Sequence, residues 1–185
     1  MRVIGGIARG RKLLPPEGMG TRPTLDRVKE AMFNIIQNKT PEAITLDMFS
    51  GTGSLGIEAA SRGAEKSYLI EMGDRSYTLL KQNIENLKLN DVCVPLKGDS
   101  YKYIEEFHKK GVEFDIIFID PPYSKEMIPP AIDLISKNEV LKKDGLIVTK
   151  IDAGEEIYEG NDEIILINHR KYGNTIVCFY EYKEI

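Results

Sequence analysis

Four residues near the middle of the chain, Asp120-Pro121-Pro122-Tyr123, combine groups that could act on an amine. Each proline lacks an N–H, so the bend offers carbonyl oxygens without competing donors. Asp120 and Pro121 each precede a proline and are held extended. A carboxylate and a free carbonyl can therefore converge on one NH2 group. The exocyclic amine of a nucleobase is a poor nucleophile, because its lone pair is delocalised into the ring. Two acceptors recover that lone pair as charge develops, and in-line transfer then depends chiefly on positioning. Tyr123 is placed to stack on a base splayed or flipped out of its helix. Without a ligand nearby, the same four residues read only as a rigid turn after a buried strand.

A ligand loop lies upstream. Gly51-Thr52-Gly53-Ser54-Leu55-Gly56 has the spacing G-x-G-x-x-G. Glycines let the chain turn tightly and approach a ligand closely, and a helix opening there favours an anion. Alone the motif is weak and is often just a tight turn. Glu71 follows Gly51 by 20 residues, where a carboxylate can accept two hydrogen bonds from a ribose diol. NAD and S-adenosylmethionine both satisfy this much. Asp47 before the loop and Asp99 after a later strand make the crevice acidic. That suits a sulfonium and a methionine ammonium better than a pyrophosphate.

The elements that must hold these groups alternate regularly. Strands are expected at 44–49, 67–72, 92–96, 114–120 and 145–151, with helices at 55–62, after a cap at Asp74, and at 101–110 and 126–141. The stretch FDIIFID at 114–120 is a continuous apolar run, suited to a strand buried on both faces. Repeated strand–helix–strand units imply a mostly parallel sheet covered on both faces. Pro95 in the third strand suggests a sheet edge, as a doubly wound order 3-2-1-4-5 provides. Asp120 then ends the fourth strand, beside the first, at the switch point where such folds bind ligands. The tail reads as two strands around Gly173-Asn174. An earlier helix opens at Pro23-Thr24, with Thr24 a candidate N-cap.

The 185 residues fit one domain, organised as a basic arm at 1–23, with a small hairpin, and a globular body at 24–185. Residues 1–29 carry seven basic and two acidic side chains, so the arm region is +5 and the remainder −9 of a total of −4. A solvated charged tail accounts for this about as well as one positive face turned to phosphate, for which Arg2, Arg9, Arg11 and Lys12 are the expected RNA contacts; His169, Arg170 and Lys171 form a second candidate patch that a charge-protected strand edge explains equally well. No apolar run reaches the length of a membrane span and no signal-peptide shape is seen. Cys93 and Cys178 read as buried free thiols of a reducing cytoplasm. His108 and His169 form no metal pattern, and a monomer without metal is expected.

Three stretches carry a resemblance: TRPTLDRVKEAMFNII at 21–36, LDMFSGTGSLGIEAASRGA at 46–64 and FDIIFIDPPY at 114–123. The chain resembles the amino-methyltransferase superfamily with the Rossmann-like class I fold. More narrowly it resembles the RsmD family of small-subunit (16S) ribosomal RNA guanine-N2 methyltransferases. The first stretch is the most specific to that family, and the likeness covers essentially the whole chain. It implies an α/β fold with a seven-stranded sheet of order 3-2-1-4-5-7-6 and S-adenosylmethionine as methyl donor. Asp47, Phe49, Gly51, Gly53, Leu55 and Gly56 match the cofactor loop, and Glu71 the ribose acid. Met72 would pack against adenine, and Asp99 with Ser100 matches the adenine-end motif. Arg22, Pro23 and Thr24 match an N-terminal motif near cofactor and RNA, and Asp120 to Tyr123 the catalytic motif. Departures are small: Ser50 and Thr52 stand where the family often has alanine and serine, and Met72-Gly73 replaces a more polar pair.

The resemblance therefore implies methylation of a guanine N2 amine on ribosomal RNA or an assembling small subunit. Rivals with the same catalytic motif are DNA adenine-N6 or cytosine-N4 methyltransferases and glutamine-modifying protein methyltransferases. The former usually need an added target-recognition region, and the latter are expected to carry Asn in place of Asp120. An NAD-dependent oxidoreductase would leave Asp120-Pro121-Pro122-Tyr123 without a role. A catalytically silent RNA-binding module would not need the motif intact.

Overall fold

The computed structural model describes residues 1–16, 23–122 and 126–184; the side chains of Pro23 and Thr24 also lie outside that description. The elements are α1 (Pro23–Ile35), β1 (Ile44–Asp47), α2 (Ser54–Ser61), β2 (Lys66–Glu71), α3 (Asp74–Asn86) and β3 (Cys93–Lys97). There follow α4 (Ser100–Lys109), β4 (Phe114–Ile119), α5 (Ile128–Asn138), β5 (Leu141–Asp152), β6 (Ile164–Tyr172) and β7 (Thr175–Tyr182). The strands form one seven-stranded sheet of order β3-β2-β1-β4-β5-β7-β6. β1 to β5 pair in parallel, and β7 runs antiparallel to both β5 and β6. β3, with Pro95, is an edge strand, as the missing N–H of a proline favours.

Side-chain alternation explains the layers. On β4, Ile116 and Phe118 face Val28, Met32 and Phe33 of α1 and Leu55 and Ala59 of α2. Ile117 and Ile119 face the opposite side, against Ile104 and Phe107 of α4 and Ile132 and Ile135 of α5. A sheet buried on both faces needs the unbroken apolar run that β4 carries. No described helix is long and apolar enough to cross a membrane.

Several boundaries differ from the expectations. α1 already includes Pro23, the first-turn position where a proline costs no hydrogen bond, so Thr24 lies inside the helix and does not cap it. Gly73, not Asp74, precedes α3, and Asp74 instead pairs with Lys97. The helix expected to reach residue 141 stops at Asn138, because Glu139 turns left-handed at φ 53°; β5 begins at Leu141. Asp99 caps α4, its Oδ1 accepting from the Tyr101 N–H at 2.9 Å.

The N-terminal segment is packed against the body. A single antiparallel bridge joins Arg2 to Lys12, and Val3, Ala8 and Leu13 are buried with Ile57, Leu69, Leu80 and Ile84. Beneath it lies Glu58 of α2, a fully buried carboxylate in an otherwise small and apolar helix. Glu58 accepts from the Ile4 and Gly5 N–H groups at 2.9 Å each and from Arg62 Nε at 2.7 Å. Lys29 Nζ lies 3.3 Å from its other oxygen. Removing one member of such a buried set strands the others. Glu58→Gln should therefore lower stability by about 3–5 kcal/mol, read as a fall in the urea midpoint. Adding Lys29→Met should recover part of that loss.

Candidate functional site

A cleft of about 1650 Å³ opens where β1 and β4 lie side by side and their following loops diverge. This is the switch point of the sheet, where the first crossover turns one way and the fourth the other. Phe49, Gly51, Leu55, Glu71, Met72, Asp99, Ser100, Asp120, Pro121 and Pro122 all line it. Residues far apart in the chain are thus gathered along one edge of the sheet. Tyr123 and Arg22, also expected at the site, lie outside the described residues, as does the Thr24 side chain.

The loop after β1 cannot complete a regular backbone hydrogen-bond ladder, so its N–H groups turn to carboxylates. Gly51 N–H donates to Glu71 Oε1 at 3.0 Å. Glu71 Oε2 accepts from Gly73 N–H at 2.9 Å. Each oxygen retains a lone pair toward the cleft, enough for a vicinal diol. Gly51 has φ +56°, and a Cβ built there meets nothing within 4 Å. Any side chain at this position would enter the cleft and strain the backbone.

Asp47, Gly53 and Gly56 stand behind the loop and are not among the residues that face the cleft. Gly53 is the N-cap of α2, at φ 103°. Gly56 serves packing: a Cβ there would lie 2.4 Å from Leu69 of β2, so α2 rests directly on the sheet. Asp47 is buried, and its Oδ2 accepts from the Gly56 N–H at 3.0 Å. Its role in the structure is to hold the start of α2, where the sequence suggested a direct contact to a cationic ligand. Burial pushes its carboxyl up to about 7, the charge of Asp120 adds to this, and the Gly56 N–H opposes it.

At the far end, Ser100 Oγ donates to the Met48 carbonyl. Phe49 meets Tyr101 edge to face, with centroids 6.3 Å apart. Tyr101 OH donates to the Met127 carbonyl at 2.8 Å, which ties α4 to the start of α5. Burial, with Asp99 nearby, pushes this phenol up. Met72 is 63% exposed at the rim, an apolar surface left open beside Glu71.

Two lysines of the cleft escaped the sequence reading. Lys150 of β5 places Nζ 3.4 Å from Asp120 Oδ2. Lys29 of α1 donates to the Arg2 carbonyl at 2.6 Å and to Ser54 Oγ at 3.1 Å. Burial lowers the Lys29 ammonium from its ordinary value, while Glu58 and Asp26 oppose the shift. Lys29 carried one faint signal: a lysine on the buried helical face of α1, between Val28 and Met32.

An open cleft at the switch point of a 3-2-1-4-5-7-6 sheet marks the Rossmann-like methyltransferase fold. A family model described as "Conserved hypothetical protein 95" matches residues 1–181, and the chain belongs to that family, the RsmD family. It is 34% identical over 181 residues to the Bacillus subtilis protein YlbH, described as "Putative rRNA methyltransferase", covering 98% of both chains. It is 37% identical over 153 residues to "Ribosomal RNA small subunit methyltransferase D" of Escherichia coli, covering 83% of this chain and 75% of that one. The solved structure "Putative methyltransferase yhhF from Escherichia coli" superposes with a TM-score of 0.86 at 28% identity, over 100% and 99% of the two chains.

Asp47 also sets a pH dependence. The folded protein keeps a proton up to about pH 7 that the unfolded chain gives up near pH 4. The stability this contributes is complete below about pH 4 and is lost as pH rises toward 7. Asp47→Asn has no proton to lose. Its stability relative to the native protein should therefore climb by several kcal/mol from pH 4 to pH 8, read by urea denaturation at stepped pH. A constant difference across that range would refute the buried titration.

Proposed function

We propose that this protein transfers a methyl group from S-adenosylmethionine to the exocyclic N2 amine of a guanine in small-subunit ribosomal RNA. The observation that carries the reading is the meeting of Asp120-Pro121-Pro122 with Gly51, Glu71 and Asp99 along one cleft. The names of the relatives, rRNA methyltransferase and small subunit methyltransferase D, supply the acceptor class. The guanine amine and its N2 position rest on the family resemblance.

The residues present fit the donor. Glu71 has lone pairs for the ribose hydroxyls, and Met72 and Phe49 offer apolar surface to adenine, with Asp99 and Ser100 at its polar edge. The open backbone at Gly51 and the N-terminus of α2 accommodate the methionine end, whose carboxylate the helix N-terminus favours. When bound, S-adenosylmethionine supplies an electrophilic methyl on a sulfonium. Asp120 and the Pro121 carbonyl accept the two N–H groups of the guanine amine and orient its lone pair toward the donor. The fixed Asp120 carboxylate stabilises the positive charge that develops on nitrogen and takes up the proton that the methylated amine sheds. The family resemblance gives Tyr123 the stacking on the extruded base and assigns Arg22 and Thr24 to the cofactor and RNA.

Arg2, Arg9, Arg11 and Lys12, all exposed on the docked arm, contact RNA phosphates. Arg2 is steered by Asp26 at 3.6 Å, and Arg11 donates to the Asn86 carbonyl at 3.0 Å. The substrate is naked RNA or an assembling subunit, met by a monomer in the cytoplasm.

Asp120→Ala should bind S-adenosylhomocysteine nearly as the native protein does, while methyl transfer to under-modified small subunits falls about 10²–10³-fold. Full activity in that variant would sink the mechanism. Labelled methyl appearing on DNA or on protein glutamine, and not on RNA, would replace the acceptor. Arg9→Ala should weaken RNA binding about equally across sequences and flatten the salt dependence by roughly one phosphate contact, measured by filter binding at stepped salt.

A further inference from the structure

We propose that Lys150 is a positioning residue for Asp120, fixing which carboxylate oxygen meets the acceptor amine. The proposal rests on the methyl-transfer reading above. Thr149 of β5 stands in register with Ile119 of β4, so the next residues, Lys150 and Asp120, emerge side by side at the cleft edge. Lys150 is a lone cation within the run Leu146–Ile151, where Leu146, Ile147, Val148, Thr149 and Ile151 are all buried. Its side chain is only 18% exposed, Asp120 is 35% exposed, and both line the cleft. Asp120 keeps access to water, so the pair contributes modestly to folding stability. The effect of Lys150 is felt chiefly in where it holds its partner.

The charges around Asp120 explain the need. Asp47 lies on the adjacent strand and Glu71 on the next, while Glu126, Glu155 and Glu156 line the same cleft. Lys29, the other cleft lysine described, already serves the Arg2 carbonyl, Ser54 and Glu58. Lys150 is therefore the cation placed to counter the acids at Asp120. With Nζ donating to Oδ2 at 3.4 Å, that oxygen is held on the β5 side and the carboxylate does not turn freely. Oδ1 is left to accept from the guanine amine, beside the Pro121 carbonyl. Misorienting a group near a reacting centre by about 1 Å can cost on the order of 10²-fold.

Three variants test this: Lys150→Met, Lys150→Arg, and Lys150→Met in an Asp120→Asn background. Lys150→Met should lower kcat by about ten- to hundredfold, with KM for the RNA and affinity for S-adenosylhomocysteine within about threefold of native. Lys150→Arg should restore most of the rate. In the Asp120→Asn background the lysine substitution should change nothing further. An unchanged kcat in Lys150→Met, or an undiminished effect in the double variant, would overturn the proposal. Lysine side-chain NMR checks the ion pair without any acceptor: the Lys150 Nζ signal should move when Asp120 becomes Asn. A signal that stays put overturns the positioning role even if RNA methylation is found. A shifted signal in a protein that methylates no RNA leaves the pair standing and refutes the acceptor instead.

Discussion

Backbone N–H groups that no strand or helix satisfies dominate the design of this cleft. Between β1 and α2 the chain must turn sharply at the edge of a buried sheet, and its donors need acceptors. Two carboxylates supply them, Asp47 to Gly56 from below and Glu71 to Gly51 from the side. Asp47 does so from a buried position, whereas Glu71 lines the cleft and keeps lone pairs where a ligand would also seek acceptors. In Glu71, structural support and a ligand-facing acceptor are therefore one side chain. A loop fixed this way is ordered before any ligand arrives, which spares binding the cost of ordering it.

A similar economy governs the N-terminal segment. Its glycine-rich backbone could not fold alone, with a single β-bridge of its own. Glu58 captures its Ile4 and Gly5 N–H groups, and Lys29 captures the Arg2 carbonyl while also reaching Ser54 at the start of α2. The buried set thus joins the basic segment, α1 and the helix of the ligand loop into one body. Exposed arginines mounted on that body present positive charge at a fixed place relative to the cleft. A flexible tail would spread the same charge over many orientations and pay entropy to gather it.

Local pattern made most of the fold legible. The apolar run of β4, the alternation of strands and helices, and Pro95 together give the sheet order through β5, and the family likeness gives its last two strands. The placement of Glu71, Asp99, Asp120, Pro121 and Pro122 along one cleft was legible for the same reason: their spacing is tied to local elements. Lys29, Glu58 and Lys150 were not, because their partners, Arg62 of Glu58 apart, lie 25 to 54 residues away and such pairing leaves no periodic trace. Glu58 did leave a hint, as a single carboxylate in the buried helix SLGIEAAS. The segment 1–16 looked like a charged tail because Val3, Ala8 and Leu13 are scattered among glycines and arginines at no regular period. The end of α5 was missed because a left-handed Glu139 has no sequence signature comparable to glycine.

Charge balance decides how such a cleft can work. Residues 30–185 carry −9, a field that favours a cationic donor, yet the proposed acceptor carries phosphates that the same field repels. Glu71 and Asp99 line the cleft from the end of β2 and the start of α4, with Asp47 buried behind the loop after β1. Lys29 and Lys150 line it from α1 and β5, among the acids Asp26, Glu126, Glu155 and Glu156. Lys150 lies against Asp120 itself. In the proposed reaction this lysine offsets part of the acidic field at the point where a polyanionic acceptor must approach a cationic donor.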